Sequence, residues 1–451
     1  MENTIYSRIQ RQLFKNQRFI YELGSSYALL GVNMATMIFL TPSLLKNLGN
    51  EAYGIWLVFF GITNFFNLSS FGFGQIFTLE LIKKKDKPKE INKLVNTFLF
   101  SLLLFGFGTF PLFLIVQVFL LGPVIKIDPA LLPEAAKSFW LVYVVFFFNF
   151  IGQLPYNVLF ARHKLSTRNG LEMGRILIIF FASIYVLQNG GGLMQLSVVT
   201  LLGTVLYTGF LFVFSSYSLD YEIKYEHFSN KQFNKFLKPG FHFFLMTLSQ
   251  QIIVHSYSIL VSSLQNTAMV AMYSVALRIP DTSMRLIFKF ADVKINKVTN
   301  LFHKKEWLSL WLLHNRLLWL TLVISIVVAI ALLIFGPWVI GFWVGEDFQL
   351  NYFLFFVFTL NMFLLCIIHI PAVFLQSMGL HQRSAIISII GAPVSILGAW
   401  YFSKLYGIEG IAVSLCTIQI LVQIITIPEF YMVVRNGLIE KGKQFNLFQI
   451  K

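Results

Sequence analysis

Long apolar runs alternate with short polar stretches along this chain. A membrane-crossing helix needs about 20 mostly apolar residues. The runs supply twelve such segments, at 23–45, 53–80, 94–121, 138–160, 169–187, 193–215, 239–263, 268–295, 317–341, 350–378, 384–403 and 409–434. They are continuous rather than alternating over about ten residues, which argues against a transmembrane β-barrel. Ahead of them, MENTIYSRIQRQLFKNQRF places Ile5, Ile9 and Leu13 on one helical face, with Arg8, Arg11, Lys15 and Arg18 around it. That pattern suits a short helix on the cytoplasmic membrane surface, not a cleavable signal peptide.

Landmarks of the pattern recur at nearly one offset. LGNEAYGIW, from Leu48, is echoed by LQNTAMVAMYS, from Leu264, 216 residues later. Gly122-Pro123 closes the third run and Gly336-Pro337 the ninth, 214 apart; Pro155 and Pro371, and Gly191 and Gly407, are each 216 apart. The chain therefore reads as two six-helix halves in tandem. The expected organisation is an amphipathic segment 1–22, an N-lobe 23–215, a cytoplasmic linker 216–238, a C-lobe 239–434 and a cytoplasmic tail 435–451. An even number of spans per half gives both lobes the same orientation, the parallel arrangement found in secondary transporters with a site between the halves.

Composition agrees: 57% of residues are hydrophobic and 12% charged, against about 25% charged in soluble domains. The net charge of +15 does not point to nucleic acid, because the cations sort by membrane side. With the amino terminus inside, the cytoplasmic segments hold 26 Lys and Arg and the outer loops four. This bias predicts that both termini are cytoplasmic. Cys366 and Cys416 lie inside apolar runs, so no disulfide framework is implied. There is no GxxxxGK[ST] phosphate loop, and the reading requires no cofactor and no metal.

Polar residues within the runs cluster in the first two spans of each half. Asn33 lies in span one, Asn64 and Asn67 in span two, and Gln250, Gln251 and His255 in the most polar span, the seventh. This distribution fits a hydrated cleft lined by groups that bind sugar hydroxyls. The competing account is hydrogen bonding between helices, about 0.6 kcal/mol each. Span eight carries the strongest signal. Arg278, Asp281, Arg285, Lys289 and Asp292, spaced 3, 4, 4 and 3, share one helical face. At about 1.5 Å per residue, Arg278 lies some 15 Å deep. One aspartate does not neutralise two arginines there, and a diphosphate matches the remaining charge and the guanidinium fork. The alternatives are a structural ion pair to Asp281 and, for Lys289 and Asp292, contact with cytoplasmic headgroups. Arg175 in span five is a further candidate, with Glu172 as partner. His255 and His369 are positioned to titrate in a proton-coupled cycle or to bond neighbouring helices.

The pattern ΦxxLGxxxYGΦW at Leu45–Trp56, the stretch SLQNTAMVAMYSVALRI and the stretch LLIFGPWVIGFWVGEDF together carry a resemblance. They resemble the polysaccharide-transporter branch of the multidrug/oligosaccharidyl-lipid/polysaccharide superfamily, which includes O-antigen and capsule flippases. The two extra helices of the fourteen-helix lipid II flippase branch are absent. The resemblance implies an all-α, MATE-like fold in the bacterial inner membrane and a cargo of undecaprenyl-diphosphate-linked oligosaccharide. It also implies surrounding membrane lipids and, as partners, a polysaccharide polymerase and chain-length proteins. Two other readings stay open. A cation-coupled small-molecule antiporter would use Asp281 as its deep carboxylate. A membrane polymerase or ligase is disfavoured, because no outer loop exceeds about 16 residues and no catalytic cluster is evident.

Overall fold

Hydrocarbon offers no hydrogen-bond partner to a backbone N–H or C=O, so a chain this apolar satisfies its backbone within helices. The computed structural model describes residues 2–440 except Phe71, Lys85, Asp86, Gly122, Pro123, His163, Val293, Glu346, Asp347, Gly379 and His381. Among the described residues every regular element is helical. The first half runs through α1 (Glu2–Asn67), α2 (Phe73–Lys83), α3 (Pro88–Gly108), α4 (Phe110–Ile115), α5 (Leu132–Ile151), α6 (Gln153–Ala161), α7 (Leu165–Gln188) and α8 (Leu193–Ser218). The second runs through α9 (Asn230–His255), α10 (Tyr257–Leu264), α11 (Thr267–Asp292), α12 (Ile295–His303), α13 (Trp307–Val344), α14 (Tyr352–Ser377), α15 (Gln382–Ile424) and α16 (Thr426–Glu440).

Among the described residues, eight helical stretches are long and apolar enough to cross a membrane. Two of them, Gly24–Ser70 and Ile386–Glu440, are 47 and 55 residues long. Each contains a glycine at positive φ, Gly49 at 80° and Gly407 at 59°. That backbone region is readily open only to glycine, so the chain breaks there without strain. The helix α11 is not among the eight; it carries the charged stripe.

Several single runs are built from shorter helices. The run 53–80 is interrupted by a 3-10 turn at Leu68–Ser70 and by Gly72, whose φ is 65°. The run 138–160 divides at Gly152 into α5 and α6. Pro155 has no N–H to give the Ile151 carbonyl, which favours a break at that point. Gly336-Pro337 was expected to end the ninth run, but α13 continues through it to Val344. Here the glycine serves packing: a Cβ on Gly336 would lie 2.4 Å from the Phe355 ring. Its sequence counterpart, Gly122-Pro123, lies outside the described residues.

The chain divides into two compact units, Met1–Leu245 and Met246–Lys451. In the first, α1 packs on α7, α5 on α8 and α2 on α6. Its core is aromatic: Phe113 stacks on Phe139 at 4.9 Å and Phe77 on Phe98 at 4.4 Å. The division falls inside α9, beyond the segment 216–238. That segment is fastened to α3: Asn96 Nδ2 donates to the Glu222 carbonyl at 2.6 Å, and the Lys224 N–H donates to Asn96 Oδ1 at 2.8 Å. The N–H of Ser229 donates to Thr97 Oγ1 at 3.1 Å.

In the second unit α14 is the hub, packed against α11, α13, α15 and α16. Trp307, Leu310, Trp311, Phe374, Phe430 and Leu438 form its main core. Gly437 on α16 admits Trp307: a Cβ there would lie 2.2 Å from the indole ring. Ala in a helix interior gains about 1 kcal/mol over Gly, whereas overpacking a core costs about 1–3 kcal/mol. Gly437→Ala should therefore lower the melting temperature of the detergent-purified protein. A raised melting temperature would show that helix propensity wins and that this contact is not tight.

Candidate functional site

Many polar groups in the apolar runs are satisfied locally. Thr36 Oγ1 donates to the Val32 carbonyl at 2.8 Å, and Thr41 Oγ1 to that of Met37 at 2.7 Å. Ser262 and Ser263 bond back to Ile259 and Leu260. These hydroxyls therefore bond to their own helices, not to neighbouring ones. Asn64 and Asn67 are half-buried near the end of α1. Gln251 is half-buried, and its Oε1 has no hydrogen-bond partner. Gln250 and His255 belong to α9, but their side chains lie outside the described residues.

In the second unit the charged stripe occupies one face of α11, as its spacing requires. Arg285 Nε donates to Asp281 Oδ2 at 2.8 Å, and the Arg285 side chain is 55% exposed. Arg278, one turn before Asp281, is half-buried. Further along, Lys289 Nζ meets Asp292 Oδ2 at 3.3 Å. The other oxygen of Asp292 lies 3.1 Å from His369 Nε2 on α14. The His369 ring is stacked on Phe288 at 3.7 Å, which fixes the imidazole between the two helices. Three cations and two carboxylates make the stripe net positive. The stripe spans about four turns of helix, and within it Asp281–Arg285 and Lys289–Asp292 are i,i+4 and i,i+3 pairs.

The first unit holds a polar cavity of about 340 Å3. Asn149 of α5 and Gln153 and Tyr156 of α6, spaced i, i+4 and i+7, line it from one helical face. From α7 come Arg168, Asn169, Glu172 and Arg175, and from α8 Tyr207 and Thr208. Asn33 of α1 also lines it, with its Nδ2 donating to the Leu29 carbonyl at 3.1 Å. Arg175 Nη2 is ion-paired with Glu172 Oε1, and its guanidinium lies 5.0 Å from the Tyr207 ring centre. The Nε of Arg175 is buried without a hydrogen-bond partner.

Arg168 is fixed differently. Its guanidinium lies 4.1 Å over the Tyr156 ring. Its Nε and Nη2 donate to Asn169 Oδ1 at 3.4 and 3.1 Å. Asn169 is buried, and its Nδ2 donates to Ser25 and Ser26 on α1, both at 3.1 Å. Among the described residues no carboxylate pairs with Arg168.

The structure thus brings Asn33 and Arg175 into one cavity, and Arg278, Asp281 and Arg285 onto one face. Asn64 and Asn67 do not line that cavity. Arg168, Asn169, Tyr156 and Tyr207 were not singled out in the sequence. One signal was available: Arg168, Glu172 and Arg175 are spaced 4 and 3, the stripe of α11 in reverse order.

Comparison with known proteins places this architecture. The structure is similar to an inward-facing multidrug resistance MATE family transporter, with a TM-score of 0.73, 15% identity and coverage of 90% of this chain and 94% of that one. It is similar to the lipid II flippase MurJ in an inward closed conformation, with a TM-score of 0.71, 17% identity and coverage of 95% and 94%. The fold is therefore that of the MATE-like transporters. In sequence, the chain is 23% identical over 412 residues to a putative O-antigen transporter of Shigella flexneri, covering 87% of this chain and 93% of that protein. A family model described as polysaccharide biosynthesis protein matches residues 24–292. With its apolar helices, its fold and more than half of its length matched, this multi-pass membrane chain belongs to the polysaccharide biosynthesis protein family.

Proposed function

We propose that this protein is a flippase that moves undecaprenyl-diphosphate-linked oligosaccharide repeat units across the bacterial inner membrane. The product would feed O-antigen, capsule or exopolysaccharide synthesis. The observation that carries this reading is the net positive stripe of Arg278, Asp281, Arg285, Lys289 and Asp292 along one face of α11. An intramembrane charge excess has to be answered by a counter-ion, and a lipid-linked diphosphate supplies one. Family membership, and similarity to a protein described as an O-antigen transporter, support a glycan as the cargo. Transport would proceed by alternating access of the two halves, with a polymerase and chain-length proteins downstream. Asp281 supports Arg285 through their ion pair, which favours a positioning role over that of a coupling carboxylate.

The orientation is tested first. The distribution of Lys and Arg predicts that both termini and the segments 83–93, 162–168, 220–238 and 297–311 are cytoplasmic. A single cysteine at Lys87 should resist an impermeant thiol reagent in intact cells and react after permeabilisation. Labelling in intact cells would reverse the topology.

The charge assignment makes a sharper prediction. Arg278→Ala and Arg285→Ala should each abolish export of the surface glycan while the protein still accumulates in the membrane. Lys at either position should restore part of it, because the charge stays and the bidentate fork is lost. Asp281→Asn should be milder than either. Normal export in both arginine variants, together with a dead Asp281→Asn, would replace the flippase by the cation antiporter.

A further inference from the structure

The cavity of the first unit has a charge and a lining of its own. Arg168 and Arg175 face it with Glu172 alone to balance them. Glu172 is taken by Arg175. The net charge of the lining is therefore +1, and it resides on Arg168. That guanidinium is held rigidly by the Tyr156 ring below it and by the neutral oxygen of Asn169, which is itself bound to Ser25 and Ser26. It also sits in the first turn of α7, whose free N–H groups add partial positive charge. The rest of the wall consists of amides, a hydroxyl, two tyrosine rings, Gly152 and the apolar side chains of Leu29 and Leu211. The buried, unpartnered Nε of Arg175 calls for a neutral acceptor, since its charge is already met.

We infer that this cavity binds a carboxylate-bearing sugar unit, with the carboxylate on Arg168 and a hydroxyl or ring oxygen on Arg175 Nε. The inference rests on the reading that the cargo is a glycan. The ligand class follows from charge and size. One guanidinium that meets no carboxylate among the described residues, held over Tyr156 and set among amide groups, matches the single carboxylate of a uronate-type sugar. About 340 Å3 lies at the low end of small-ligand cavities, enough for a short piece of glycan. The amide groups match sugar hydroxyls, and the rings of Tyr156 and Tyr207 offer flat apolar faces beside them. Asn169 is a positioning residue here: it holds Arg168 and is saturated by its own partners.

The test is ligand-observed NMR on the full-length protein in detergent micelles, with methyl glucuronide, methyl glucoside and inorganic pyrophosphate as probes. Glucuronide should bind at least about tenfold more tightly than glucoside, the factor that one charge-assisted bond supplies. Equimolar pyrophosphate should not displace it. Arg168→Gln should remove the preference and leave the glucoside signal in place. Arg168→Lys should keep it in part, which guards against a glutamine variant that fails to fold. Absence of glucuronide binding, equal binding of glucoside, displacement by pyrophosphate, or indifference to both Arg168 variants would each overturn the inference. If glucuronide fails to bind while the Arg278 and Arg285 variants lose export, the cavity assignment falls and the flippase reading stands. If glucuronide binding depends on Arg168 but those variants export normally and Asp281→Asn is dead, the flippase reading falls and the sugar site stands.

Discussion

An ionised side chain at the centre of a bilayer costs about 2.5–3.5 kcal/mol on insertion scales, and much of this protein's polar architecture follows from meeting that cost. Asp281 answers Arg285 on α11, and Glu172 answers Arg175 on α7. Asp292 is shared between Lys289 on its own helix and His369 on the next. In every case the partner lies three or four residues away or on a packed neighbour, the only distances at which helices bring side chains together. The arginine–acid–arginine motifs of α7 and α11 each carry a net formal charge of +1 over two turns of helix.

Asn149, Gln153 and Tyr156 reach the cavity at i, i+4 and i+7, one helical face carried across the junction of α5 and α6. Gly49 and Gly407 adopt positive φ and break their helices. Gly336 and Gly437 do the opposite. They remain helical and let Phe355 and Trp307 approach the backbone, so that the aromatic core of the second unit closes. Glycine thus serves both purposes here, and the backbone conformation distinguishes them.

The all-helical class and the apolar runs were legible in the sequence, because hydrophobic length alone decides them. The stripe of α11 was legible for a similar reason: five charges at helical spacing leave one geometry. Breaks within runs were harder to see. Ser69 and Ser70 read as polar residues of a continuous span, and only the backbone at Gly72 shows the chain turning there. The cavity of the first unit was half legible. Arg175, Glu172 and Asn33 stood out as polar groups in apolar surroundings. Arg168 sat at the edge of a basic loop and looked like one more cytoplasmic cation. Its role depends on Tyr156, Asn169 and two serines on α1, and no periodicity brings those four positions together.

The different reach of these ion pairs has a consequence for biogenesis. Arg175–Glu172 and Arg285–Asp281 lie within single helices, so each forms as soon as its own helix coils. Such a segment is presented to the lipid with that charge already neutralised, and its entry does not wait for later parts of the chain. Asp292 is different, because His369 follows it by 77 residues. Until α14 has been synthesised, that carboxylate has only Lys289 of its own helix. The end of α11 therefore acquires its complete set of partners only when α14 arrives, which makes the packing of these two helices a late event in the making of the protein.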